Sequence, residues 1–352
     1  MKEGPLTITM LMVPFMSGCL TAPDVSESGK YACVASTDCD STMACRELEP
    51  GDFRCVDAVH REDAVEGADF PDCWVATVCD YQGAHTLTLS AEGKVSALGR
   101  IDDAWDNHNY TRYPNGNSPD RDVFFIAPPA GHLVNVVVRP AQPDSLTSLN
   151  PLLTIKSYNG ESLRSSGYGP VEAHLRHAAP GGDGGSASLI IVVDEGDNDA
   201  QFQPGVGWQQ VAGGALHDYE LVVTTEPLPL VPLGTLDAGS PRLTGSGELS
   251  LPGDVRYYSF CAPQGRDFSV TVAVEQPGIE FFVEPLDSAD GRLRHRTTNV
   301  LTGPASAVLS SADFVSNGSC DDDPTQESMV FAVFESAYQA RPWSFSMDVT
   351  LK

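Results

Sequence analysis

From about Leu87 onward the chain is written in short alternating runs separated by Gly, Pro and Asp turns. Tyr219-Glu220-Leu221-Val222-Val223 and Phe345-Ser346-Met347-Asp348-Val349 place apolar side chains at every second position, the two-residue period of a half-buried strand. Long helical patterns are nearly absent, and Gly 32 and Pro 26 supply frequent turns. Short strands recurring at roughly ten-residue intervals predict an all-β fold built as a β-sandwich.

The pattern also occurs twice. Leu98-Gly99-Arg100-Ile101-Asp102 is echoed by Leu233-Gly234-Thr235-Leu236-Asp237. The run from Asp122 to Gly131 is echoed by the run from Arg256 to Gly265. Leu133 to Val138 matches Asp267 to Val272, and Ser188 to Val193 matches Ser328 to Val333. Landmarks in one order predict two tandem sandwiches, 83–225 and 233–352. The prolines of 226–232 read as a stiff extended linker between them. Phe124 and Tyr258 are expected to point inward, with Asp120 and Asp254 opening their strands at the exposed end.

The N-terminus is different. Residues 1–18 carry one basic residue, Lys2, then an apolar stretch from Pro5 to Phe15, then Met16-Ser17-Gly18 before Cys19. The apolar stretch is shorter than the roughly 20 residues that a spanning helix needs, and it suits the core of a signal peptide. The arrangement resembles a bacterial lipoprotein signal peptide, although Glu3 and Met16 depart from its usual pattern. That resemblance implies lipidation of Cys19 and attachment to the cell envelope through the lipid. Leu20, where an Asp would hold a lipoprotein at the inner membrane, implies the outer membrane. Parity fits: of 9 cysteines, giving Cys19 to lipid leaves an even number for disulfides. Residues 19–30 read as a polar tether.

Cys33, Cys39, Cys45, Cys55, Cys73 and Cys79 fill residues 31–82, a segment with too few apolar residues for a core of its own. Disulfides are the expected staples. Zinc is the weaker alternative because no Cys-x-x-Cys pair is present. The sequence does not fix the connectivity. The preferred pairing is two crossed bridges within Cys33–Cys55 and a small Cys73–Cys79 loop. Cys261 and Cys320 are expected to bridge within the second sandwich.

Asp120-Arg121-Asp122-Val123-Phe124-Phe125-Ile126-Ala127, closed by Ala130-Gly131, resembles the gate of the bacterial pre-peptidase C-terminal domain. Val192-Val193-Asp194 and the closing Tyr219-x-Leu221-x-Val223 fit as well. The second repeat is weaker, with Arg256 in place of the second acid and Phe334 in place of Asp194. The resemblance implies jelly-roll-like sandwiches, a role beside secreted peptidases and, in some members, calcium. No peptidase-like segment precedes the repeats in this sequence.

Charge narrows the partners. Lys+Arg 21 against Asp+Glu 48 gives a net charge of −27. Such a surface repels phosphate backbones, so nucleic acid is not an expected ligand. Calcium wants six to eight hard oxygens; Asp102, Asp103, Asp106, Asn107, Asp120 and Asp122 form one candidate cluster, Asp194 opens a second with Glu195, Asp197, Asn198 and Asp199, and Asp321-Asp322-Asp323 form a third. Trp105, Tyr110 and Tyr113 lie in the same long loop and could contact a protein or polysaccharide. Catalytic signatures are missing: no His-Glu-x-x-His, no Gly-x-Ser-x-Gly, and no phosphate-loop lysine beside Gly181-Gly182-Asp183-Gly184-Gly185. His174 and His177 read as surface histidines of a loop, and Trp343 as core or rim. The expectation is a non-enzymatic, lipid-anchored envelope protein that presents two sandwiches for binding. The alternatives are an accessory subunit of a secreted hydrolase and a plain structural spacer.

Overall fold

A computed structural model describes residues 29–34, 38–49, 51–57, 59–62, 84–101, 121–141, 149–157, 162–166, 172–179, 188–195, 201–203, 207–209, 217–250, 253–286, 301–320, 323–335 and 342–352. The fold is all-β: a small disulfide-stapled module followed by two sandwiches. Among the described residues no helix is long and apolar enough to cross a membrane.

The module contributes β1 (Ala44–Glu49), β2 (Asp52–Val56) and β3 (Val59–Arg61). β1 and β2 form a hairpin in which Cys45 faces Cys55. The bridges are Cys33–Cys45 and Cys39–Cys55, the crossed pairing preferred from the sequence. Cys33, Cys39 and Cys55 make with Met43 a core of four buried residues among those described, too small to hold without staples. The sulfurs of Cys33, Cys39 and Cys55 lie close together, but all three are in disulfides and offer no thiolate to a metal. Cys19, Cys73 and Cys79 lie outside the described residues.

The first sandwich is built from β4 (His85–Leu87), β5 (Lys94–Arg100), β6 (Asp122–Ile126), β7 (His132–Pro140), β8 (Pro151–Ser157), β9 (Ser162–Ser165), β10 (Ala173–Ala178), β11 (Leu189–Glu195), the short pair β12 (Gln201–Gln203) and β13 (Gly207–Gln209), and β14 (Asp218–Pro227). One sheet runs β10-β7-β14-β5-β3 and the other β4-β6-β11-β8-β9. The second sandwich uses β15 (Leu230–Thr235), β16 (Arg242–Leu249), β17 (Val255–Pro263), β18 (Phe268–Val274), β19 (Glu280–Leu286), β20 (Leu301–Thr302), β21 (Ala305–Ser310), β22 (Ser319–Cys320), β23 (Asp323–Glu335) and β24 (Trp343–Leu351). Its sheets run β15-β17-β23-β19-β20 and β16-β24-β18-β21.

Apart from β3 at one edge of the first sandwich and β22 beside β23 in the second, the two orders are the same. Each sandwich even begins with a parallel edge pair, β4 on β6 and β15 on β17, in sheets that are otherwise mostly antiparallel. This topology corrects one proposed echo. Leu98-Gly99 lies on β5, whereas Leu233-Gly234 lies on β15, whose counterpart is β4. The true partner of Gly99 is Gly247. Gly99 faces Tyr219 on the closing strand of its sandwich, and Gly247 faces Phe345 on the closing strand of the other. In both places an added Cβ would run into that ring, so the missing side chain makes room for an aromatic. The proline-rich stretch is also not a free linker, because Glu226 and Pro227 end β14 while Leu230 to Pro232 begin β15.

Strand alternation fills the cores. Val134, Val136 and Val138 of β7 meet Tyr219, Leu221 and Val223 of β14 and, from the other sheet, Phe124, Ile126, Ile155 and Ile191. The second core is richer in aromatics: Tyr258, Phe260, Phe268, Phe281, Phe331, Trp343 and Phe345. Phe124 and Tyr258 point inward as expected. Trp343 is buried in this core rather than offered to a ligand. Cys261 and Cys320 are bridged, tying β17 to the short β22.

The sandwiches pack on each other. The outer face of the second presents Val255, Tyr257, Phe334 and Ala332 to Leu133 and Ala178 of the first. Polar contacts fix the register of this seam. The Ala178 N–H donates to the Tyr257 hydroxyl at 2.8 Å, and Arg176 donates to Asp254 at 3.1 Å. The Arg176 N–H donates to the Gly253 carbonyl at 3.2 Å. The Arg164 guanidinium is buried 4.4 Å over the Phe334 ring and donates to the Arg176 carbonyl. Two sequence expectations change here. Asp254 is buried at this seam instead of exposed, because the neighbouring sandwich covers it. His174 and His177 belong to strand β10, not a loop, and His177 is buried.

Candidate functional site

The acidic face foreseen from the sequence is only partly described: Asp102, Asp103, Asp106, Asn107, Asp120 and the loop aromatics Trp105, Tyr110 and Tyr113 lie outside the described residues. Asp122 and Asp194 are described, and the structure separates them. Asp122 pairs across the ladder with Val193, so it shares the core face. Its Oδ2 accepts the Tyr219 hydroxyl from the opposite sheet at 2.5 Å. Asp194, one residue beyond Val193, projects from the other face and pairs with Arg121 at 2.6 Å. Lys156 stands nearby; burial and then Arg121 pull its ammonium below the usual lysine range, and Asp194 opposes that shift. One carboxylate is a core hydrogen-bond acceptor and the other an outward ion pair. They leave their sheet by opposite faces, as the two-residue period requires.

A different cluster comes together at the open side of the first sandwich. β3 adds to one sheet as a parallel edge strand beside β5, and β4 adds to the other beside β6. His60 lies opposite Ala97, and His85 opposite Phe124. The two edge strands thus carry two imidazoles toward each other across the gap between the sheets. His60 Nδ1 and His85 Nε2 are 2.8 Å apart, and the rings meet edge to face with centroids 4.9 Å apart. The Thr88 N–H reaches His60 Nε2 at 3.3 Å. With Nε2 accepting, the His60 proton sits on Nδ1 and is donated to His85 Nε2. Both rings are then neutral. Burial, and secondarily His85, pushes His60 down to about 4, and burial also lowers His85.

The pair lies in a cleft of about 510 Å3 between the module and the sandwich rim. Val59 and Leu89 give it apolar surface, Ser41, Thr42, Thr88 and Ser90 add small polar residues, and Asp57 and Arg61 bring one charge of each sign. The module is anchored there by more than its chain connection. β3 pairs with β5, and the Arg100 N–H donates to Glu62 at 2.6 Å. Arg46 pairs with the buried Glu220 on β14, which also meets Arg139.

Sequence reasoning missed the histidine pair. His60 and His85 sit in the short runs Val-His-Arg and Ala-His-Thr-Leu, one on each side of Cys73 and Cys79, with nothing in their spacing to join them. The only available signal was that each lies in a short β-like run beside the cysteine-rich segment.

No family model matches the chain, and no curated protein matches it. Among solved structures it is similar to the CUB1-EGF-CUB2 domains of rat MASP-1, at 11% identity over 75% of this chain and 99% of that one, with a TM-score of 0.19. A putative uncharacterized protein from Burkholderia cenocepacia matches at 12% identity over 70% of this chain and 82% of that one, with a TM-score of 0.19. Tripeptidyl peptidase 2 matches at 8% identity over 76% of this chain and 24% of that one, with a TM-score of 0.22. Likeness at this level carries no argument about function.

Proposed function

We propose that this chain is a non-enzymatic lipoprotein of the cell envelope, anchored through Cys19, that holds its β-sandwiches out for binding. The observation that carries the reading is the set of disulfides Cys33–Cys45, Cys39–Cys55 and Cys261–Cys320. Such bridges persist in an oxidising compartment, and the first of them begins shortly after the candidate lipid-bearing cysteine. The packed seam between the sandwiches and the docking of the module on the first suit a rigid presenting arm more than a string of loose beads. The ligand is a protein or polysaccharide, and the loop of 102–120 with its acids and aromatics is the surface it would meet.

The test has two parts. Palmitate labelling of the expressed chain, followed by membrane fractionation, should show lipid on the wild type and none on Cys19→Ser, which should move to the soluble fraction. A Cys19→Ser protein that stays membrane-bound sinks the anchor. Melting in millimolar calcium and again in chelator asks whether the acidic loop is an ordered ion site; a bound ion raises the melting temperature. No shift removes calcium from the proposal and leaves a metal-free binder.

A further inference from the structure

We propose that the His60–His85 pair is a binding site for a borderline divalent transition-metal ion, Cu2+ before Zn2+, held by His60 Nδ1 and His85 Nε2. Two imidazole nitrogens bound to one ion at about 2.0 Å each stand roughly 2.8–3.3 Å apart. His60 Nδ1 and His85 Nε2, 2.8 Å apart in their hydrogen bond, already lie within that reach. Cu2+ binds such ligands most tightly in the divalent series.

A metal takes a neutral imidazole, and the Thr88 N–H onto His60 Nε2 with His60 Nδ1 onto His85 Nε2 is the hydrogen-bond pattern of two neutral rings. The proton balance is simple. Coordination at His60 Nδ1 moves the proton of that atom to Nε2, where it replaces the lone pair that accepts the Thr88 N–H. The bonds given up are this long one at 3.3 Å and the His60–His85 hydrogen bond at 2.8 Å, which the two metal–nitrogen bonds replace. The cleft is open, so water or an arriving ligand can fill the remaining corners. The consequence is mechanical. A metal here clamps β3 to β4, and so joins the stapled module and both sheets of the first sandwich at one point.

The experiment uses the full chain, oxidised and stripped of metal, titrated with Cu2+ at pH 7.5. Electron paramagnetic resonance at one equivalent should show a tetragonal copper signal with nitrogen ligation. His60→Asn and His85→Asn should each weaken the tight phase at least tenfold. Copper with ascorbate in air reduces dissolved O2 to species that oxidise the side chains holding the metal, so peptide mapping of the wild-type protein should place oxidised histidine at 60 and 85. That mapping needs no variant and stands even where a substitution disturbs folding. Oxidation confined to other histidines or to the N-terminal amine overturns the proposal. Copper affinity unchanged in both variants also overturns it, and leaves the pair as a hydrogen bond alone.

Discussion

Gly253→Ala tests whether the two sandwiches are held as a unit. Gly253 has φ +72, and a Cβ there would overlap the carbonyl oxygen of His174 and lie 2.8 Å from its carbon. The obstacle is backbone of β10 in the other sandwich, which cannot rotate away as a side-chain tip would. Left-handed geometry alone costs an alanine roughly 1–2 kcal/mol. Restoring ordinary contact of about 3.5 Å also requires the strands to part by about 1 Å or more. That retreat loosens the hydrogen bond from the Arg176 N–H to the Gly253 carbonyl at 3.2 Å. At about 1 kcal/mol for that bond, the sum is about 2–3 kcal/mol. Gly265→Ala is the matched control, because its φ is +68 and no atom lies within 4 Å of an added Cβ. It should cost only the conformational part, about 1–2 kcal/mol. With roughly 2–4 °C per kcal/mol for units of this size, Gly253→Ala should melt about 4–12 °C below wild type and Gly265→Ala about 2–8 °C. Equal losses for the two variants in paired melts would refute the packed seam.

Other predictions concern buried polar groups. Tyr219→Phe removes the hydroxyl that Asp122 accepts and should cost about 1.5–3 kcal/mol by urea unfolding; a neutral result would mean that Asp122 does not rely on it. Burial pushes the Glu335 carboxyl up to about 7 from its usual 4.5. Its contribution to stability is therefore full below the unfolded value and fades as pH rises from about 4.5 to about 7. Glu335→Gln should flatten that slope in melts at pH 5 and pH 8, and an unchanged slope would sink the assignment. His60 works in the opposite direction. Held neutral to about 4 against its usual 6.5, it should cost stability as pH falls from 6.5 toward 4, and its ring proton resonances should not titrate near 6.5. Cys261→Ser with Cys320→Ser opens a loop with a sequence separation of 59 and should lower stability by about 4 kcal/mol, read from the denaturation midpoint.

Much of the fold was legible because its signals are local. A strand with one face inward declares itself by alternation, as in β7 and β24. Phe124 and Tyr258 could be placed in the core from that period alone. The cysteine-dense segment declared its staples because so small a core has no other means of holding together. The duplication was visible where matching strands keep matching side chains, but Leu98-Gly99 was set against the wrong glycine. The role that Gly99 shares with Gly247, room for a facing aromatic, is defined by strand pairing and not by neighbours in the chain. The candidate site was hidden for the same reason. His60 and His85 meet only because β3 and β4 join different sheets of one sandwich. Asp122 and Asp194 part because they leave their sheet by opposite faces. Asp254 is buried because another sandwich lies over it. The sequence by itself determined strands, turns, staples, charge and a candidate anchor, since each follows from residues adjacent along the chain. Only the tertiary structure decided which strands pair, which faces are covered and which side chains meet, because those outcomes depend on contacts between segments far apart in sequence.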